Sequence, residues 1–235
     1  MRYHAIKLSI LAICIGFIAG CADDTTSSGN NGTLAMSTEL ASGGTVTSST
    51  SAKKSSPAAI FVDSLKVTST AVVISNLKMH HDGDDDSTKD GTIKTGPFLL
   101  VFDSTGSHVA VSSPVPAGTY DRIKFEIHKL KNKNDSLNAQ FADFVLNDAT
   151  IRVTGHVWQG GVQSEFTYFS DITENIQVFF SPSVAVAENS TTNVTLEFVP
   201  QTVFVNGGIV LDPRNNTNKN VLKAALKAAF KALKK

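Results

Sequence analysis

In the stretch Ile123-Lys124-Phe125-Glu126-Ile127, apolar and charged side chains alternate strictly. Successive side chains on a strand point to opposite faces, so this run can bury one clean face only as β-structure. Ile123, Phe125 and Ile127 are then expected in the core, with Lys124 and Glu126 in solvent. Segments 60–67, 71–79, 97–103, 119–129, 149–159, 162–170, 175–181 and 192–199 carry related signals, being rich in β-branched and aromatic residues and bounded by Gly, Pro, Asp and Ser, and 33–40 alternates weakly as a first strand. The Gly160-Gly161 pair between two alternating runs suits a tight hairpin whose turn needs positive φ angles. Roughly nine strands, with scarcely any helical periodicity before Asn215, predict an all-β fold, an antiparallel β-sandwich spanning 33–213.

The chain end breaks this pattern. Val221, Leu222, Leu226, Phe230 and Leu233 recur at spacings of three and four, while Lys223, Lys227 and Lys231 repeat every fourth residue. This predicts a basic amphipathic C-terminal helix over 214–235, starting after Pro213 and capped by Thr217, Asn218 or Asn220. Such a helix can lay Leu222, Leu226 and Phe230 on the sandwich as a cap, rest on anionic lipid, or dock a partner. Charge favours the cap. Residues 21–213 hold 12 basic and 21 acidic side chains, a net of minus nine, whereas 214–235 hold seven basic residues and no acid. The acidic body also argues against nucleic acid as a partner, because phosphate binding needs clustered positive charge.

The N-terminus reads as an address. Arg2 and Lys7 precede the apolar run LSILAICIGFI, which is too short for a permanent membrane helix. The run ends in Ile18-Ala19-Gly20-Cys21, which resembles the lipobox of bacterial lipoproteins. The resemblance implies removal of residues 1–20, lipid on Cys21, and a protein held on a membrane by its acyl chains. Ala22 in place of Asp implies export to the outer membrane, facing either the periplasm or the surface. Residues 21–32 are then a lipidated tether of small and polar residues. Of the two cysteines, Cys14 leaves with the signal segment and Cys21 is taken by lipid, so the body must fold without a disulfide.

Beyond the lipobox, Gly96-Pro97-Phe98, the run from Pro116 through Gly118-Thr119-Tyr120 to Ile123, and Leu211-Asp212-Pro213 resemble a family of bacterial lipoproteins with a β-sandwich domain of unknown function. The Pro-Ala-Gly-Thr-Tyr turn is also similar to turns of transthyretin-like and carbohydrate-associated modules. These resemblances imply a fold and carry no activity with them.

Candidate sites are sparse. In the loop from His80 to Gly91, Asp82, Asp84, Asp86 and Asp90 fall at positions one, three, five and nine of an EF-hand-like register, and carboxylate oxygens are what Ca2+ prefers. Ser87 stands where that register wants glycine, and Ile93 where it wants a bidentate carboxylate. The competing reading is a solvated acidic hairpin loop. Trp158 should share a strand face with His156, opposite Val153 and Val157; Trp158 and Tyr168 are the candidate aromatic contacts for a glycan or protein ligand, and the competing reading puts Trp158 in the core. Glu126, Glu165 and Glu174 are the acids available to a carboxylate-dependent hydrolase. No Gly-x-Ser-x-Gly, His-Glu-x-x-His or phosphate-binding Gly-x-x-x-x-Gly-Lys motif is present. The expected function is therefore a lipid-anchored envelope protein with a non-catalytic binding role. A calcium-stabilised structural component and an envelope hydrolase are the alternatives.

Overall fold

The computed structural model describes residues 30–48, 61–83, 90–130 and 139–234. The expected signal segment, Cys21, Asp84 and Asp86 lie outside the described residues. Among those described, no helix is long and apolar enough to cross a membrane.

The first half of the chain contributes β1 (Asn31–Leu40), β2 (Thr45–Thr47), β3 (Phe61–Val62), β4 (Ser64–His81), β5 (Gly91–Asp103), β6 (His108–Pro116) and β7 (Gly118–Ile127). After a short helix α1 (Ala142–Leu146) come β8 (Ile151–Gln159), β9 (Val162–Ser170), β10 (Glu174–Val186) and β11 (Thr191–Phe198). Helix α2 (Pro200–Phe204), β12 (Val205–Asn206), β13 (Ile209–Leu211), helix α3 (Lys219–Ala225) and β14 (Phe230–Lys234) complete the described chain.

These strands form two main sheets. One has the order β14-β11-β1-β6; the other runs β10-β7-β4-β8-β9, with β2 and β5 also paired to β4. The small β12-β13-β3 sheet stands apart from them. The sandwich is antiparallel except that β1 lies parallel to β11. No hairpin joins those two strands, so no short connection dictates their direction.

The expected alternation is present: Ile123, Phe125 and Ile127 are buried at 0–1% exposure. The hairpin between β8 and β9 turns on Gly160 and Gly161, both at positive φ. Strand β4 joins two segments that the sequence separates. Val67, Thr68 and Ser69 form a bulge in its pairing with β8, and the Thr68 hydroxyl donates to the Thr154 carbonyl at 3.2 Å. The hydroxyl-rich break is thereby accommodated in one 18-residue strand. Strand β6, with Pro114 and Pro116, is not among the expected strands; it lies at a sheet edge, where a missing N–H is tolerated.

The C-terminal helix is shorter than its periodicity suggests. It runs over Lys219–Ala225, tightens at Leu226–Ala228, and gives way to β14, which pairs antiparallel with β11. Leu222, Leu226 and Phe230 are buried as a cap on the sandwich requires. From Phe230 onward the strand is favoured because it fills the open edge of β11, placing Phe230 and Ala232 inward and Lys231 and Leu233 outward. Asn218, one of the expected caps, stands at the N-cap of α3 but makes no capping hydrogen bond with its side chain. The Asn215 side chain accepts from the Thr217 amide at 2.9 Å, whereas buried Asn218 donates to the Asp212 carbonyl at 2.9 Å. The lysines face the acidic body: Lys223 lies 2.7 Å from Asp171, and Lys227 pairs with Glu174.

Between the sheets, Phe102, Phe125, Phe198 and Phe230 form an aromatic cluster with ring centroids 5.1–5.9 Å apart. A second, smaller cluster lies on the other side of the larger sheet. There Phe141 and Phe144 pack on Ala71 and Val73 of β4. This cover divides the outer face of the larger sheet into two separate regions.

Candidate functional site

The first region lies on β2, β4, β8 and β9. Pairing register sets two rows across these strands: Thr45, Lys66, His156 and Glu165, then Thr47, Ser64, Trp158 and Gln163. Their neighbours Val46, Leu65 and Val157 are buried at 0–1%, so the rows point outward. Trp158 is half-buried, with the His156 ring beside it at 6.1 Å between centroids and tilted by 46°. Around this indole stand hydroxyl and amide side chains. The Glu165 carboxylate is 3.9 Å from His156.

Tyr168 does not join this surface. It pairs with Val153, an inward position, and only 5% of it is exposed. Its ring meets Phe204 edge-on, its hydroxyl donates to the Lys219 carbonyl at 3.4 Å, and burial pushes its phenol up to about 12. The expected pairing of Trp158 with Tyr168 as ligand contacts is therefore corrected: Trp158 faces out, and Tyr168 belongs to the core. The sequence contains the signal for this. A two-residue turn at Gly160-Gly161 places Tyr168 across from Val153, whose parity opposes that of Trp158.

The second region lies on β4, β7 and β10, beyond the cover of α1. Its rows are Asn76, Glu126 and Asn175; then Lys78, Lys124 and Gln177; then His80, Arg122 and Phe179. His80 and Asp90 have side chains only 3% and 5% exposed. The His80 Nδ1 contacts the Asp90 carboxylate, and the Lys124 ammonium lies 2.8 Å from that nitrogen and 3.5 Å from Asp90 Oδ2. The Asp90 carboxylate accepts from the Lys124 ammonium, and it accepts from the His80 ring in the tautomer that carries its proton on Nδ1. Arg122 donates to the Gln177 side-chain carbonyl at 3.3 Å and lies over the exposed Phe179 ring, 5.2 Å from its centroid. Between the first two rows is a cleft of about 190 Å³, lined in part by Lys78, Lys124, Glu126, Asn175 and Gln177.

The acidic loop connects β4 to β5, and its two described carboxylates turn to different partners. Asp82 accepts from the Ser183 hydroxyl at 2.9 Å, whereas Asp90 is held by His80 and Lys124. Among the described residues no three His, Cys, Asp or Glu side chains converge as a metal-binding group. The three glutamates have separate neighbours too: Glu126 has Asn76 and Ser75, Glu165 has His156, and Glu174 has Lys227. A further Asp, Thr and His group at the β5–β6 turn resembles a hydrolytic triad only in composition. The Thr105 hydroxyl is 2.9 Å from His108 Nε2, but Asp103 approaches that same nitrogen, at 3.2 Å. A carboxylate placed there does not orient the ring from behind, as activation of the hydroxyl requires. Instead, hydrogen bonds from Thr105 hold the Asp103 carboxyl below its usual range and tie the turn.

No family model matches the chain, nor does any curated protein. Among solved structures it is similar to MbnP from Methylosinus trichosporium, at 11% identity and a TM-score of 0.38, over 74% of this chain and 77% of that one.

Proposed function

We propose that this chain is a lipid-anchored protein of the bacterial cell envelope, exported to the outer membrane, that binds a glycan without transforming it. The lipobox-like Ile18-Ala19-Gly20-Cys21 run supports the anchor. The observation that carries the binding role is the row Thr47, Ser64, Trp158 and Gln163 on the outer sheet face. A half-buried indole offers a sugar ring a large apolar surface with little side-chain entropy to lose, and short hydroxyl and amide groups beside it match a sugar's hydroxyls. Rigid paired strands hold these groups in place before the ligand arrives, which favours recognition.

A glycan array with the soluble chain from Ala22 to Lys235 tests the binding role. Retention of a defined glycan class that is lost in Trp158→Ala is expected; an array silent for the parent chain, or binding untouched by the substitution, overturns it. The anchor has its own test. Cys21→Ser should abolish metabolic lipid labelling and release the protein from membranes, and a labelled, membrane-bound variant would refute the anchor.

A further inference from the structure

We propose a second binding site on the outer face of β4, β7 and β10, for an acidic saccharide whose sugar ring carries a carboxylate. One cross-strand pair there sets two ammonium groups against each other on the cleft wall: Lys78 faces Lys124. Like charges directly opposite each other on a sheet are unfavourable. Their concentration is the more unexpected because residues 21–213 carry a net charge of minus nine. Lys124 is answered by Asp90. Lys78 has no hydrogen-bond or ion-pair partner among the described residues, and its position on the cleft wall presents its ammonium to a bound anion.

The remaining lining selects the kind of anion. Asn76, Asn175 and Gln177 provide amide donors and acceptors. Glu126 adds an acceptor for hydroxyl groups, and together with Asp90 it disfavours a doubly charged phosphate. A singly charged carboxylate on a hydroxylated ring satisfies both requirements. The cleft, at about 190 Å³, is smaller than the roughly 300–1,000 Å³ typical of drug-sized ligands and suits one ring. This site is separate from Trp158 and does not depend on a glycan binding there.

The test is calorimetric titration of the chain from Ala22 to Lys235 with galacturonate, glucuronate and mannuronate oligosaccharides, the free uronic acids, neutral galacto-oligosaccharides and inorganic phosphate. Binding of at least one uronate is expected, weakened about tenfold or more in Lys78→Met, as loss of one charged hydrogen bond implies. Binding only of the oligosaccharides would assign a polymer, and binding of free acid as well a single unit; both support the site. Lys78→Met should melt no lower than the parent, because it removes a like-charge pair, so its lost binding cannot be attributed to unfolding. Lys219→Met, which removes an exposed lysine at the start of α3, should leave uronate binding unchanged. The proposal is overturned if no uronate binds, if phosphate or neutral sugars bind equally well, if Lys78→Met binds like the parent, or if Lys219→Met weakens binding as much as Lys78→Met.

Discussion

Phe230 meets Phe125 edge-on with ring centroids 5.1 Å apart, so a residue five positions from the chain end packs against the middle of strand β7. The C-terminal tail is thereby part of the core as well as a cover over it. Phe230→Ala should destabilise the fold by about 3–5 kcal/mol, the usual cost of emptying a buried aromatic site. Lys231→Ala, on the outward side of the same strand, should cost less than about 0.5 kcal/mol. Urea unfolding of the two variants checks the contrast, and equal costs would show that the tail does not occupy the core.

The ion pairs between tail and body predict an acid-sensitive attachment. A hydrogen bond from Lys223 holds the Asp171 carboxyl below its usual range, with the Lys223 charge adding to the effect. A lowered folded-state value means stability that is present above the unfolded carboxylate value, near 3.9, and is lost as pH falls through the lower folded one. Both side chains are about 40% exposed, so solvent screening limits the contribution to roughly 1 kcal/mol or less. Lys223→Met should therefore lower stability slightly at neutral pH and flatten its decline below about pH 4. Parallel stability curves for parent and variant across that range would show that the pair does not stabilise the fold.

The larger pattern of the fold is legible because period-two alternation survives in single segments. Ile123 to Ile127, and the two strands around Gly160-Gly161, can be read without knowing their neighbours. Strand β6 cannot, since its prolines are acceptable only at a sheet edge and the edge is a property of the assembled sheet. The tail shows the opposite limit. Its three-and-four spacing is compatible with a helix throughout, yet the open side of β11 turns Phe230–Lys234 into a strand. The site divides in the same way. Parity along β8 sets Trp158 opposite Val157, but an indole suits a core as well as a surface, and only the burial of Val157 and Leu65 in the assembled sheet puts Trp158 on the outer face. The meeting of Lys78 with Lys124 depends instead on register between strands distant in sequence, and no local signal announces it.

Trp158 and Tyr168 should respond oppositely to truncation. Tyr168→Ala empties a core position beside Phe204 and should cost about 3 kcal/mol or more, whereas Trp158→Ala on the half-exposed face should cost about half as much or less. Tyr168→Phe, which keeps the ring and removes a hydroxyl bonded at 3.4 Å, should stay within about 1 kcal/mol of the parent. Thermal unfolding distinguishes the three. A tolerant Tyr168→Ala would mean that Tyr168 does not sit inward across from Val153.

Gly155 gives the most local check on the strand pairing beneath Trp158. A Cβ at this position would lie 2.1 Å from the Lys66 carbonyl oxygen and 2.9 Å from the Phe166 ring. The ring can shift, but the carbonyl belongs to the backbone of β4, in register with β8, and cannot move without displacing the Lys66 and His156 pair. Gly155→Ala should therefore destabilise the protein by about 1–3 kcal/mol through overpacking. It should also accelerate amide exchange along Leu65 to Ser69, because those hydrogen bonds bear the displacement. A variant as stable as the parent, with unchanged exchange there, would show that β4 and β8 are not pressed together at this point and that the platform around Trp158 is not held as described.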